Sequence, residues 1–186
     1  SIEACLRVYH IGPTGGNGET PVDFYENIDK TVALCRMVSD AVGKAGKWAI
    51  DLHTRFEMPD AVRICSEIAG MEPYFVEDLI RSENPGVYKT LRPMVKVPIA
   101  VGEQFGDKWD VNELIENQLI DYTRVTLPNT GGITEFMKIA ALCETHYVGM
   151  IPHFTGPLAT AALVHALGAW EGRALMEIAG GMPERP

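Results

Sequence analysis

Three acids recur at a fixed interval in this chain. Asp51, Glu77 and Glu103 lie 26 residues apart, and each closes a short apolar stretch, WAID, FVE and PIAVGE. Carboxylates at the same level of successive elements repel one another unless a cation sits between them. Oxygen-only ligands select a hard ion, Mg²⁺ before Mn²⁺ or Ca²⁺. Imidazoles occur in the same kind of place. His53 follows Asp51 by two residues, in WAIDLH, and His153 ends VGMIPH. Side chains of a strand alternate faces with period two, so a continuing strand would turn Asp51 and His53 to one side. A carboxylate-held cation beside imidazoles is equipment for moving protons next to a developing negative charge.

The elements that would position these residues alternate along the chain. Strand-like stretches are ACLRVYH, KWAIDLH, YFVED, VPIAVGE, DYTRVTL, VGMIPH and ALMEIAG. Between them lie helical stretches, among them VDFYENIDKTVALCRMVSDAVGKAG, PDAVRICSEIAG and NPGVYKTLRPMV. DVNELIENQL, with Asp110 and Glu113 spaced as a capping box, GGITEFMKIAALCETH and GPLATAALVHALGAW complete the set. Seven strands and six full helices in strict alternation predict an α/β protein with a parallel sheet. Both an open doubly wound sheet and a barrel fit that alternation. The polar strand ends separate them: after Glu103 they continue at Thr126, His153 and Glu177, again about one βα unit apart. In a (β/α)₈ TIM-type barrel such ends converge on the C-terminal face, whereas an open sheet would spread them along a line. Residues 1–186 therefore read as one barrel domain, without a linker or low-complexity segment.

Composition excludes several function classes. The net charge of −9 is a poor footprint for nucleic acid or an anionic membrane. No apolar run approaches a membrane span, and no basic segment followed by an apolar one opens the chain. Cys5, Cys35, Cys65 and Cys143 are far apart in apolar contexts, which predicts reduced core thiols and a cytoplasmic protein.

DLHTRF, FVEDLI, VPIAVGEQF, ENQLIDYTRV, NTGGIT, IPHFTGP and LMEIAG, in this order and spacing, resemble the enolase superfamily. Within it the pattern is similar to the mannonate- and galactonate-type acid-sugar dehydratases of the mandelate racemase group. The resemblance implies that the chain covers about strands 2–8 of the barrel. The N-terminal capping domain and the first βα unit would then lie outside it. It implies Asp51, Glu77 and Glu103 as Mg²⁺ ligands and His53 as general acid toward a leaving hydroxyl. His153 matches a catalytic histidine that serves as base in galactonate-type members. Arg7 matches an arginine that mannonate-type members pair with a tyrosine base. No tyrosine stands at the matching loop position, near Glu19; Tyr9 and Tyr25 are the alternatives, with Tyr9 placed to touch substrate. Glu177 matches a glutamate that hydrogen-bonds substrate opposite the metal. The galactonate-type pattern also has an aspartate beside the catalytic histidine, where this chain has Thr126. Arg124, two residues earlier, is expected to fill an interior layer, and Gly131 and Gly132 to form a turn. His10, His146 and His165 carry no motif.

The activity implied is dehydration of a sugar acid to a 2-keto-3-deoxy acid in a homo-oligomer with Mg²⁺ as cofactor. Two other readings stand beside it. One is an epimerase or cycloisomerase on the same scaffold, the other a non-catalytic relative that binds a sugar acid or a protein partner.

Overall fold

The computed structural model describes residues 9–11, 24–43 and 48–178. They fall into two compact units, divided in sequence between Ala100 and Val101.

The first unit is built on parallel strands whose spatial order follows the chain: β1 (Tyr9–Ile11), β2 (Trp48–Asp51), β3 (Val76–Glu77) and β4 (Ile99–Val101), the last contributing Ile99 and Ala100 to this unit. Tyr9 pairs with Trp48, Asp51 with Glu77, and Glu77 with Ala100. Trp48, Ala49 and Ile50 are all fully buried. A strand apolar on both faces, with no alternation, is what a sheet covered on both sides requires. The indole of Trp48 meets that demand by donating to the carbonyl of Met71 at 3.2 Å. Helices α1 (Phe24–Val42) and α2 (Met58–Ile68) pack together. Ala61, Ile64, Cys65 and Ile68 give α2 a buried stripe at helical spacing. Each such isoleucine contributes roughly 1.5–3 kcal/mol by leaving water. Pro59 in the first turn opens α2 without losing a hydrogen bond, and Gly43 closes α1 at φ 88°.

The expected helix NPGVYKTLRPMV is less regular than its sequence promises. Only α3 (Tyr88–Leu91) is α-helical, flanked by 3-10 turns at Pro85–Val87 and Arg92–Met94. Pro93 lacks the amide hydrogen that an α-helical ladder needs, which stops the α-helix there.

The second unit contains α4 (Lys108–Glu116), β5 (Tyr122–Thr123), α5 (Ile133–His146), β6 (Gly149–Met150) and α6 (Pro157–Gly168). β5 and β6 are parallel, with Tyr122 opposite Gly149. Val101, the end of β4, accepts from the amide of Arg124 at 2.7 Å. The approach requires a glycine beside it: a Cβ on Gly102 would lie 2.9 Å from the amide nitrogen of Val125, and its φ is +141°. The cap of α4 is Asp107, whose carboxylate accepts from the amide of Trp109 at 2.8 Å. Asp110, the expected cap, sits inside the helix and reaches back to the amide of Gly106. The cap therefore lies three residues earlier than expected, and the carboxylate at N3 bonds the residue before the cap, not the cap amide of a strict capping box. The expected last strand, ALMEIAG, is reduced among the described residues to one parallel bridge, Met150 to Ala174.

Candidate active site

Asp51 and Glu77 are the last residues of β2 and β3, whereas the later candidate residues lie just after the strand ends. Glu103 follows β4 by two residues, Thr126 follows β5 by three, and His153 follows β6 by three. Parallel-type hydrogen bonds nonetheless continue past those ends. The amide of Leu52 donates to Glu77 O, that of Asp78 to Ala100 O, and that of His153 to Arg124 O.

In the first unit, Asp51, Glu77 and Asp78 form a cluster in which one carboxylate oxygen from each lies within 4.8 Å of the others. Glu77 and Asp78 are buried, at 0 % and 2 % exposure. Both have partners, yet one oxygen of each, Glu77 Oε2 and Asp78 Oδ2, is buried and accepts no hydrogen bond among the described residues. Three convergent hard oxygens fit a divalent cation such as Mg²⁺. Asp78 is the member that the spacing argument misses. Adjacent strand residues face opposite ways, but Asp78 has φ 43° and has left the strand conformation. The doubled acid in FVEDLI was the available signal. Burial, and then the neighbouring charge of Asp78, raise the pKa of the Tyr88 phenol.

His53 calls for a correction. Strand alternation does not bring it to the side of Asp51, because β2 ends at Asp51 and both His53 and Thr54 have left-handed backbones, φ 52° and 58°. The link between them is local instead: the His53 amide donates to Asp51 Oδ1 at 2.6 Å. The His53 residue is exposed.

In the second unit, His153 Nε2 lies 3.3 Å from Glu103 Oε2. The carboxylate beside this imidazole is thus Glu103. The hydroxyl of Thr126 does not serve it, donating instead to the carbonyl of Glu103 at 3.3 Å, where the side-chain amide of Asn129 also donates. Arg124 is 1 % exposed, and its Nη2 donates to Glu177 Oε2 at 2.8 Å. Glu177 was read as the end of a strand; it follows the isolated bridge at Ala174 instead.

Arg7 and Glu19 lie outside the described residues, as does Cys5; Tyr9 is described only as a backbone position in β1. Gly131 and Gly132 take φ 88° and 107° before α5, as a glycine turn would. His146 is structural: its Nδ1 lies 2.9 Å from the carbonyl of Leu142 one turn back. Cys35, Cys65 and Cys143 are free and buried, as expected. No helix among the described residues is long and apolar enough to cross a membrane.

Consecutive parallel βα units with acids and imidazoles at or after the strand ends define a protein of the (β/α)₈ barrel class. The chain belongs to the enolase C-terminal domain-like family, which it matches over residues 6–184. It is 33 % identical over 149 residues to a D-mannonate dehydratase of a Sphingomonas species, covering 76 % of this chain and 37 % of that protein. It is 31 % identical to a D-galactonate dehydratase of Ralstonia pickettii, covering 77 % of this chain and 38 % of the relative. Among solved structures, a mandelate racemase/muconate lactonizing enzyme-like protein from Rubrobacter xylanophilus superposes with a TM-score of 0.85 at 26 % identity. That likeness covers 95 % of this chain and 47 % of the other. The chain thus spans well under half the length of the two dehydratases and just under half that of the solved structure.

Proposed function

We propose that this chain carries the catalytic barrel of a Mg²⁺-dependent sugar-acid dehydratase. The observation that carries the reading is the convergence of Asp51, Glu77 and Asp78 in a chain whose relatives are named mannonate and galactonate dehydratases. Asp51 and Glu77 are the first two ligands of the ion. Glu103 is proposed as the third on the sequence register alone, with Asp78 as a further acid beside the first two. When bound, the cation supplies the positive charge that offsets the enediolate formed from the substrate carboxylate.

The chain's own residues do the proton work. His153 removes the C2 proton, its imidazole steadied by the carboxylate of Glu103 at 3.3 Å. His53 then delivers a proton to the departing C3 hydroxyl, and the product tautomerises to a 2-keto-3-deoxy acid. Arg7, with Tyr9 or Tyr25, is the rival source of the base, on its match to the mannonate-type pattern.

A library of sugar acids, offered with Mg²⁺ to the full-length protein, tests the activity. Formation of a 2-keto-3-deoxy acid is the expected result. A product isomeric with its substrate would instead assign an epimerase or cycloisomerase, and binding without turnover a non-catalytic relative. Solvent deuterium exchange at C2 then identifies the base. It should disappear in His153→Asn and survive in Arg7→Met; the reverse pattern would transfer the base to an Arg7-linked group.

A further inference from the structure

The second unit buries a guanidinium, and its bonds share one destination. Arg124 Nη1 donates to the carbonyl of Ile151 at 2.9 Å, and the backbone carbonyl of Arg124 accepts from the amide of His153 at 3.3 Å. Arg124 Nη2 donates to Glu177 Oε2 at 2.8 Å. That same oxygen accepts from the amide of Phe154 at 3.0 Å. One arginine and one glutamate therefore hold Ile151, His153 and Phe154 by their backbones, and the stretch they hold carries the imidazole facing Glu103.

We infer that Arg124 and Glu177 are positioning residues, a brace built on one buried and one half-buried side chain that fixes the His153 segment so that its imidazole stays against Glu103. The inference rests on the reading of His153 as the proton acceptor. It gives Glu177 a task other than the substrate contact expected from the sequence, because Glu177 Oε2 serves both Arg124 and Phe154. The chemistry also explains the residue types. A guanidinium presents donors in fixed, divergent directions, so one side chain reaches a carbonyl and a carboxylate together. A lysine ammonium at this depth would have to choose between them. Removing Glu177 takes this carboxylate from a guanidinium that is 1 % exposed, and removing Arg124 takes the donor from Glu177; either change loosens the stretch between them. Misplacement of a reacting group by about 1 Å costs on the order of 10² in rate.

Arg124→Lys and Glu177→Gln, made in the full-length protein, test the brace by two independent readouts. The first is amide hydrogen exchange, followed by mass spectrometry, in peptides covering residues 150–155. Both variants should exchange faster there than wild type while peptides of α4 and α5 stay unchanged. The second is the split between kcat and KM on the sugar acid that the wild type dehydrates. Arg124→Lys should lose kcat by roughly 10²-fold at nearly constant KM, as expected for misplacement of a reacting group. Glu177→Gln keeps an oxygen for the amide of Phe154 and should lose less than Glu177→Leu. If Arg124→Lys fails to fold, Glu177→Gln carries both measurements alone. Unchanged exchange at residues 150–155 overturns the brace, and so does a loss confined to KM, which would make the pair a substrate contact. A wild type that dehydrates no sugar acid defeats the proposed function instead, and the exchange measurement then decides the brace by itself.

Discussion

Replacing Glu77 by glutamine should have opposite effects on the metal-free and the metal-bound protein. In the cluster of Asp51, Glu77 and Asp78, one oxygen of each acid lies within 4.8 Å of the others. Two unit charges at that separation repel by roughly 3–4 kcal/mol at an effective dielectric constant of about 20. This gross figure is offset in part by the other interactions these acids make. Glu77→Gln removes a charge and keeps the shape, so the metal-free protein should melt higher. Mg²⁺ bound at this cluster should stabilise the wild type by mass action, by about 2.7 kcal/mol at a free concentration of 100 Kd. At roughly 2–4 °C per kcal/mol for a domain of this size, that is a rise of about 5–11 °C. In Glu77→Gln this rise should vanish while the starting Tm is higher. Differential scanning calorimetry of the full-length protein, with and without Mg²⁺ and after chelation, measures both quantities. Glu103→Gln should also abolish the rise, and Asp78→Asn should only reduce it. An undiminished rise in both Glu77→Gln and Asp51→Asn would refute the assignment of the ion to this cluster.

Other outcomes follow from single features. His53→Asn should lower dehydration by roughly 10²–10⁴-fold, the range for general acid catalysis, while C2 deuterium exchange persists; dehydration at the wild-type rate would place the acid elsewhere. Gly102→Ala should destabilise by about 2–6 kcal/mol, combining a disfavoured backbone with overpacking against fixed main-chain atoms. Gly168→Ala, where the added Cβ meets nothing within 4 Å, is its control and should be nearly neutral in thermal melts. Asp107→Ala should cost about 1 kcal/mol by uncapping α4, whereas a larger loss from Asp110→Ala would restore Asp110 as the principal cap. Burial pushes the thiols of Cys35, Cys65 and Cys143 from 9.0 to about 12. The unfolded chain therefore releases these protons first. Their contribution to stability is complete below pH 9 and should fall as the pH rises from 9 toward 12, measurable as a declining denaturation midpoint.

The order of elements was legible in the sequence because apolar runs and glycine or proline boundaries report burial directly. Pro59 stands in the first turn of α2 and Gly43 directly follows α1. Strand lengths were not legible, since apolar residues continue past the last ladder pair, as Leu52 does after β2. The acids were visible by their interval, yet their grouping was not, because a single φ decides which way Asp78 points. The partner of His153 was sought at Thr126, the position a resemblance assigns. The carboxylate lies on Glu103 instead, an arrangement set by loops after the strands, whose paths periodicity does not encode. Arg124 was expected inside the barrel from its spacing alone, and it is buried. What spacing could not supply was its contact with Glu177, 53 residues away.

The left-handed backbone at Asp78 has a consequence for how this gene can drift. Few residue types accept that conformation, chiefly glycine, asparagine and aspartate, with histidine tolerated. Of the residues that one nucleotide change can make from an aspartate codon, valine, alanine, tyrosine and glutamate are ill suited to it. Glycine keeps the turn and deletes the oxygens, while asparagine keeps the turn and one oxygen without the charge. Histidine is also one change away and its backbone is tolerated, but an imidazole overfills a position only 2 % exposed, so surviving variants at this codon should be chiefly those first two. Both relieve the charge crowding around Glu77, so loss of the acid would be accompanied by a more stable metal-free barrel, not a weaker one. Counting alleles at position 78 in a mutational library, selected first for folding and then for turnover, would expose that opposition.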